Sequence, residues 1–183
     1  KTIAKELGLP PYIIFQDPSL EAMATTYPVT IEELANISGV GAGKAKRYGA
    51  EFVKVIKRHV EENEIDRPED LVVRSVANKS KVKIVIIQAI DRKVPLDELA
   101  ESRGIEFAEL LDDIETIVNS GTKININYFI DEILDDDQQE EIFDWFKSSE
   151  SGDLNEAYRQ LGEDYTEDEI RLMRIKFLSE MGY

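Results

Sequence analysis

Ile37-Ser38-Gly39-Val40-Gly41-Ala42-Gly43-Lys44-Ala45-Lys46-Arg47-Tyr48-Gly49 sets three glycines in five residues directly before a run of cations. Glycine reaches backbone conformations closed to other residues, so this stretch predicts a tight turn. A long helix is expected to follow from Lys44 to about Val60. At roughly 100° per residue, Tyr48, Phe52, Val53, Val55, Ile56 and Val60 fall on one half of that helix. Lys44, Lys46, Arg47, Lys54, Lys57 and Arg58 fall on the other. The cationic half reads either as a solvated helix face or as a surface that tracks phosphates. The second reading gains from placement, because Lys44 and Arg47 sit in the first turn after the glycines, where free backbone N–H groups also favour anions.

The glycine run also invites a nucleotide-binding reading, and that reading fails. A Walker A loop needs a glycine separated by four residues from its Gly-Lys pair, and a Ser or Thr after the lysine to hold magnesium. Ser38 and Ala45 occupy those positions. The dinucleotide fingerprint fails as well, since Lys44 stands in its third glycine position and a helix precedes the loop. A helix-hairpin-helix-like turn fits better, with Ile37-Ser38-Gly39-Val40-Gly41 letting backbone approach a phosphate.

Upstream, Pro10-Pro11 stops an opening helix, and Asp17-Pro18-Ser19 starts another whose apolar positions are Leu20, Met23 and Ala24. Tyr27-Pro28 ends it. Thr30 and Glu33 form a capping-box pattern that opens a helix over Ile31–Ile37. With these spacings on the page, a resemblance becomes specific. Pro10-Pro11-Tyr12-Ile13-Ile14-Phe15-Gln16-Asp17-x-x-Leu20, Tyr27-Pro28, Glu33-Leu34 and Ile37-x-Gly39-Val40-Gly41-x-x-Lys44-x-x-Arg47-Tyr48-Gly49 resemble the HRDC domain, the helicase-and-RNase-D C-terminal module. The likeness covers residues 1 to about 62 and is closer to bacterial RecQ-type helicases than to RNase D. The opening helix of the family is incomplete here.

That resemblance implies a small helical bundle that binds single-stranded or partially duplex DNA weakly. It implies roles for Tyr12, Lys44 and Arg47: a tyrosine stacks on a splayed base while cations hold the flanking phosphates. Lys46, Lys54 and Arg58 extend the same cationic face. The other reading of Tyr12 is a half-buried ring that covers the Pro-Pro turn.

Downstream the character changes. Residues 1–64 hold 8 Lys/Arg and 9 Asp/Glu, whereas residues 65–183 hold 14 and 29, a net of −15. Such a chain is repelled by nucleic acid at long range, so any DNA contact needs a local patch. The expected organisation is residues 1–64 as the HRDC unit, 65–76 as a polar linker around Pro68, and 77–183 as an acidic helical domain. Lys81–Asp91 reads as strand or helix. Leu96–Gly104 and Phe107–Val118 give a helix-turn-helix pattern. Ile124, Ile126 and Tyr128 alternate as a short strand would. Ile142, Phe143, Trp145 and Phe146 mark another helix, and Thr166-x-x-Glu169 caps the last, which carries Ile170, Met173, Ile175, Phe177 and Leu178. The fold class is all-α.

The second block resembles the helix-turn-helix region that follows HRDC in some bacterial RecQ proteins. Its would-be recognition helix carries Glu106, Glu109, Asp112, Asp113 and Glu115 and no cation, so it reads as structural or protein-binding. Lys79, Lys81 and Lys83 form a small basic spot before it. His59 is the sole histidine and there are no cysteines. That excludes a multi-histidine or thiolate zinc site, and disulfides. The acidic run Asp135-Asp136-Asp137 lacks the spacing of a calcium loop.

The opening Lys1-Thr2-Ile3-Ala4-Lys5-Glu6-Leu7 reads as helix, not as a signal peptide, and the chain reads as a segment of a longer protein. The resemblance implies a 3′-to-5′ DNA helicase in recombination and repair, cytoplasmic and nucleoid-associated, with ATP, magnesium and zinc sites upstream and no cofactor in these residues. Two alternatives stand beside it. One is a protein-docking module whose acidic half recruits a basic partner or mimics DNA. The other is the tail of an RNase D-type exonuclease.

Overall fold

The computed structural model describes residues 2–65, 67 and 77–182, and the side chains of all of these except 77–80. The expected linker therefore lies outside the described residues apart from Ile65 and Arg67. The described residues form helices and no strand. The chain is all-α.

The first block contributes α1 (Thr2–Leu7), α2 (Pro11–Ile14), α3 (Asp17–Thr26), α4 (Ile31–Ala35) and α5 (Gly41–Glu62). Pro10 and Pro11 do more than stop α1. Proline fixes φ and lacks a donor, so Pro11 starts the short α2. Within α3 Met23 is buried but Leu20 and Ala24 are exposed. The second buried position of α3 is Ser19, whose hydroxyl donates to Ser38 O at 2.8 Å and ties α3 to the glycine turn. Thr30 Oγ1 accepts from Glu33 N–H as expected. Glu33 itself accepts from Val29 N–H and from Arg67, the latter at 2.7 Å. Burial pushes that carboxyl's pKa up, but the Val29 and Arg67 hydrogen bonds outweigh it and hold the pKa below the ordinary value.

α5 begins three residues before the expected Lys44, inside the glycine run. Its inner face buries Ala45 and Tyr48, with Phe52, Val53 and Ile56 packed against the same core. Val55 falls outside that face and is 53% exposed, because helical geometry sets it beside the cations.

The second block holds α6 (Ala77–Asp91), α7 (Leu96–Arg103), α8 (Phe107–Asn119), α9 (Asn127–Ile130), α10 (Asp136–Ser148), α11 (Leu154–Leu161) and α12 (Glu167–Met181). The ambiguous Lys81–Asp91 is helix, and α7 and α8 are the expected helix-turn-helix pair, with Gly104 left-handed at the turn. The expected strand at Ile124–Tyr128 does not form. Instead Ser179 Oγ accepts from Ile124 N–H at 2.9 Å and donates to Ile124 O at 2.7 Å, doing for one residue what a neighbouring strand would do. Asp135 and Gln138 close a full capping box at the start of α10, so the acidic run is a helix start.

α12 is the central helix. Ile170, Leu172, Met173, Ile175, Phe177 and Leu178 are buried around much of its circumference, as a helix enclosed by others requires. It packs on α8, α9, α10 and α11.

Two apolar cores result, and the division between them does not follow the sequence. Ala4, Ile14, Phe15, Met23, Leu34, Ile37, Val40, Ala45 and Tyr48 make the first. Tyr12 and Ile13, from the same short α2, belong instead to the core of the second block, beside Phe146 and Phe177. α2 thus sends adjacent residues into opposite cores and joins the two blocks like a rivet.

Candidate nucleic-acid interface

The structure sorts the six sequence-predicted contact residues into two groups. Lys46, Arg47, Lys54 and Arg58 are exposed on the outer side of α5, with Lys57 among them. They fall within a sector about 120° wide and run roughly 18 Å along the helix axis. Glu51, Glu61 and Glu62 border this stripe, and Arg58 Nε lies 4.0 Å from Glu62 across one turn. Such an exposed pair contributes little and competes weakly with a phosphate. Arg47 lies at the stripe's inner edge, where its guanidinium packs 5.5 Å from the Tyr48 ring centroid and donates to Gly182 O at 3.4 Å.

Tyr12 and Lys44 are placed differently, and the roles the resemblance implies for them are corrected by that placement. Tyr12 is 6% exposed. Its hydroxyl donates to Phe146 O at 2.7 Å, and its ring lies 6.4 Å from that of Phe177. Gly152 covers one edge so closely that a Cβ there would meet the ring at 2.5 Å. No face remains for a base. Burial lifts the Tyr12 phenol to about 12, only partly opposed by the Arg174 charge. The alternative reading, a ring covering the Pro-Pro turn, comes nearer, but the cover is reciprocal: Tyr12 is a core residue of the second block.

Lys44 is 4% exposed. Burial pulls its ammonium down to about 8, and the like charge of Arg174 adds to the effect. The cause is the glycine turn ahead of it. A Cβ on Gly41 would lie 2.5 Å from Ser120 O, one on Gly43 would lie 2.8 Å from Gly121 O, and one on Gly121 would lie 2.7 Å from Lys44 N. Glycine faces glycine, and two backbones touch where side chains would hold them apart. The turn expected to admit a phosphate admits the Ser120-Gly121 turn at the end of α8.

Further bonds hold the two blocks together. Gln16 Nε2 donates to Asn119 Oδ1 at 3.0 Å, and Tyr48 OH donates to Gly182 O at 3.2 Å. Lys83, read as part of a basic spot, is drawn in to donate to Ser120 Oγ and Thr122 Oγ1 at 2.9 and 2.7 Å. Lys81 is exposed. The side chain of Lys79 lies outside the described residues. Sequence reasoning missed Asn119, Ser120, Gly121 and Gly152 as interface residues. Ser120-Gly121 was legible only as a helix stop, and nothing in its pattern names the turn it meets.

The acidic face of α8 is engaged internally. Arg171 of α12 pairs with Asp112 and Glu115, Arg174 pairs with Glu115 at 3.1 Å, and Arg103 of α7 pairs with Asp113 at 3.3 Å. These contacts explain Asp112, Asp113 and Glu115, three of the five carboxylates of the would-be recognition helix, as cross-links to α7 and α12. Among the described residues no helix is long and apolar enough to cross a membrane, and no group of three or more His, Asp or Glu side chains is placed to hold a metal ion.

Comparison with known families now adds to this geometry. Residues 1–56 match the HRDC domain, and residues 80–130 match the RecQ-1-like helix-turn-helix domain. The chain carries an HRDC domain followed by a RecQ-1-like helix-turn-helix domain. It is 41% identical over 59 residues to the ATP-dependent DNA helicase RecQ of Bacillus subtilis, and equally to that of Haemophilus influenzae; those residues are 32% of this chain and 10% of each relative. It is 35% identical over 54 residues to the ATP-dependent DNA helicase UvrD2 of Mycobacterium tuberculosis, covering 30% of this chain and 8% of that protein. The matched segment thus spans about a tenth of the length of these helicases. Both domains agree with the RecQ-type resemblance read from the sequence, and the second core shows that the helical domain extends well beyond residue 130 to α12.

Proposed function

We propose that this chain is the accessory C-terminal region of a RecQ-type 3′-to-5′ DNA helicase that acts in recombination and repair in the bacterial cytoplasm. Its own part is to contact single-stranded or partially duplex DNA through the outer face of α5. ATP hydrolysis with its magnesium, and a zinc site, belong in this reading to segments before residue 1. The observation that carries it is the exposed stripe Lys46, Arg47, Lys54, Lys57 and Arg58, set in an HRDC domain within a chain of net charge −16.

Charge also orients the contact. The α10 carboxylates Asp136, Asp137, Glu140, Glu141 and Asp144 are all exposed and repel phosphate, so a strand approaches from the α5 side. The binding is weak because few phosphates are neutralised against an unfavourable total charge.

A labelled single strand titrated at several salt concentrations tests this. Affinity should fall with salt, and the combined Lys54→Ala and Arg58→Ala variant should flatten the log–log slope by about 1.4, two single-strand phosphate contacts. No binding of the unaltered chain even at low salt rejects the reading. If a basic peptide binds in its place, the acidic α10 face is the working surface.

A further inference from the structure

The contact between the domains covers the part of the HRDC domain best built to meet a phosphate. α5 is a 22-residue helix whose first turn holds Gly41, Gly43 and Lys44. Free N–H groups at a helix start, close backbone access through glycine and an adjacent ammonium are together an anion-binding arrangement. Here the carbonyl oxygens of Ser120 and Gly121 lie against that turn, and Lys44 is sealed in behind them. The same surface continues outward into Lys46 and Arg47, which remain exposed. A strand lying along the exposed stripe therefore runs into the edge of the docked domain.

The docked state also carries its own tension. A buried ammonium near Arg174 opposes docking, while the bonds from Tyr12, Gln16 and Tyr48 favour it. Docking also seats Tyr12 and Ile13 in the second core, so the undocked form is the minor state, and a competing anion that binds that form alone shifts the population toward it.

We propose that the helix-turn-helix domain is an intramolecular cover, and that single-stranded DNA and the Ser120-Gly121 turn compete for the first turn of α5. Docking keeps the region weakly binding. Undocking extends the cationic stripe inward to Lys44 and the glycine backbone. The inference rests on the reading that DNA follows the α5 face.

Two perturbations of the full chain test it with a labelled oligothymidine. Gly43→Gln drives a neutral side chain into Gly121 without straining α5, since Gly43 has ordinary helical backbone geometry. It should tighten binding at least about fivefold, the lower end of typical coupling between linked equilibria. Because the chain has no cysteine, Gln16→Cys with Asn119→Cys supplies a single thiol pair across the interface. Bridging the pair with a short bifunctional reagent should erase the gain from Gly43→Gln, and cleaving the bridge should restore it.

Equal affinity in the bridged and unbridged forms, with hydrogen exchange at Ser120–Thr122 raised by the wedge, overturns the cover. The α5 reading then still stands if Lys54→Ala with Arg58→Ala weakens binding. Absence of binding in every form, wedge included, removes both. Should Gly43→Gln fail to fold, the bridged and unbridged thiol pair decides alone: equal binding overturns the proposal.

Discussion

The two ends of α5 carry the same residue types and meet opposite fates. At its start Lys44 is buried against another domain, its ammonium pulled down to about 8. Ten residues on, Lys54 stands in solvent beside Lys57 and Arg58. Helical periodicity does not separate them: each is a lysine in a long amphipathic helix, on the polar half of the wheel. What separates them is the domain packed on the glycines. Cations on one helix face cannot be treated as one site when a second domain covers part of that face.

The sharpest break of the comparison comes from α2, which brings the cover into place. Tyr12→Ala empties a ring-sized space in the second core and removes the bond to Phe146 O. By analogy with other aromatic truncations it should lower unfolding free energy by about 3–5 kcal/mol. Tyr12→Phe keeps the ring and loses only the hydroxyl, so about 1 kcal/mol is expected. Urea unfolding of the two variants side by side measures the difference. A nearly harmless Tyr12→Ala would mean that the ring is not in the second core, and the stacking role would return.

Lys44 itself gives the next effect, with the opposite sign. Its folded pKa, about 8, lies below its ordinary value of 10.5. Between those values the unfolded chain holds a proton that the folded chain has lost, so stability rises with pH across that window. Below pH 8 the full penalty remains. Lys44→Met should therefore stabilise the chain near pH 7 by on the order of 3 kcal/mol, and the gain should fade as pH approaches 10.5. The difference between Lys44→Met and unaltered chain isolates this group from Tyr12, whose phenol is held protonated to about 12 and weakens the fold only above pH 10. Thermal unfolding across pH 7 to 10 checks the sign. A gain that does not shrink with pH would locate its origin in packing and not in the buried charge.

Much of this was legible beforehand, and the exceptions share a cause. The all-α class, the Thr166–Glu169 capping box and the α7–α8 pair follow from local rules, since caps and glycine stops act within a few residues. The exposed cations Lys46, Arg47, Lys54 and Arg58 follow from helical periodicity. Lys44 and Tyr12 were misplaced because their environment is set by residues far along the chain, Gly121 and Phe146. A tyrosine after two prolines looks like an exposed platform until another domain's carbonyl accepts its hydroxyl. The expected Ile124–Tyr128 strand failed for a related reason. Alternation predicts an extended segment but not its partner, and here Ser179 alone satisfies Ile124.

That serine carries the third prediction. Ser179→Ala leaves the buried Ile124 amide and carbonyl without their partner, which should cost about 1–3 kcal/mol. The loss should be confined to the second block. Hydrogen exchange should therefore rise at Ile124 and along α12 while α3 and α4 keep their protection. Equal loosening of both blocks would show that the rivet at α2 makes them unfold as one.

The smallest effect closes the comparison where it began. Lys54→Met changes the same residue type on the same helix as Lys44→Met, but at a solvated position. A surface substitution of this kind should move stability by no more than about 0.5 kcal/mol. Its consequence should appear instead in the salt slope of single-strand binding, reduced by about 0.7 for the loss of one phosphate contact. Lys44→Met should change stability and leave that slope alone as long as the cover is closed. If the two substitutions exchange these signatures, Lys44 is the solvent-facing phosphate ligand and Lys54 the buried group, and the docked arrangement of the two domains is wrong.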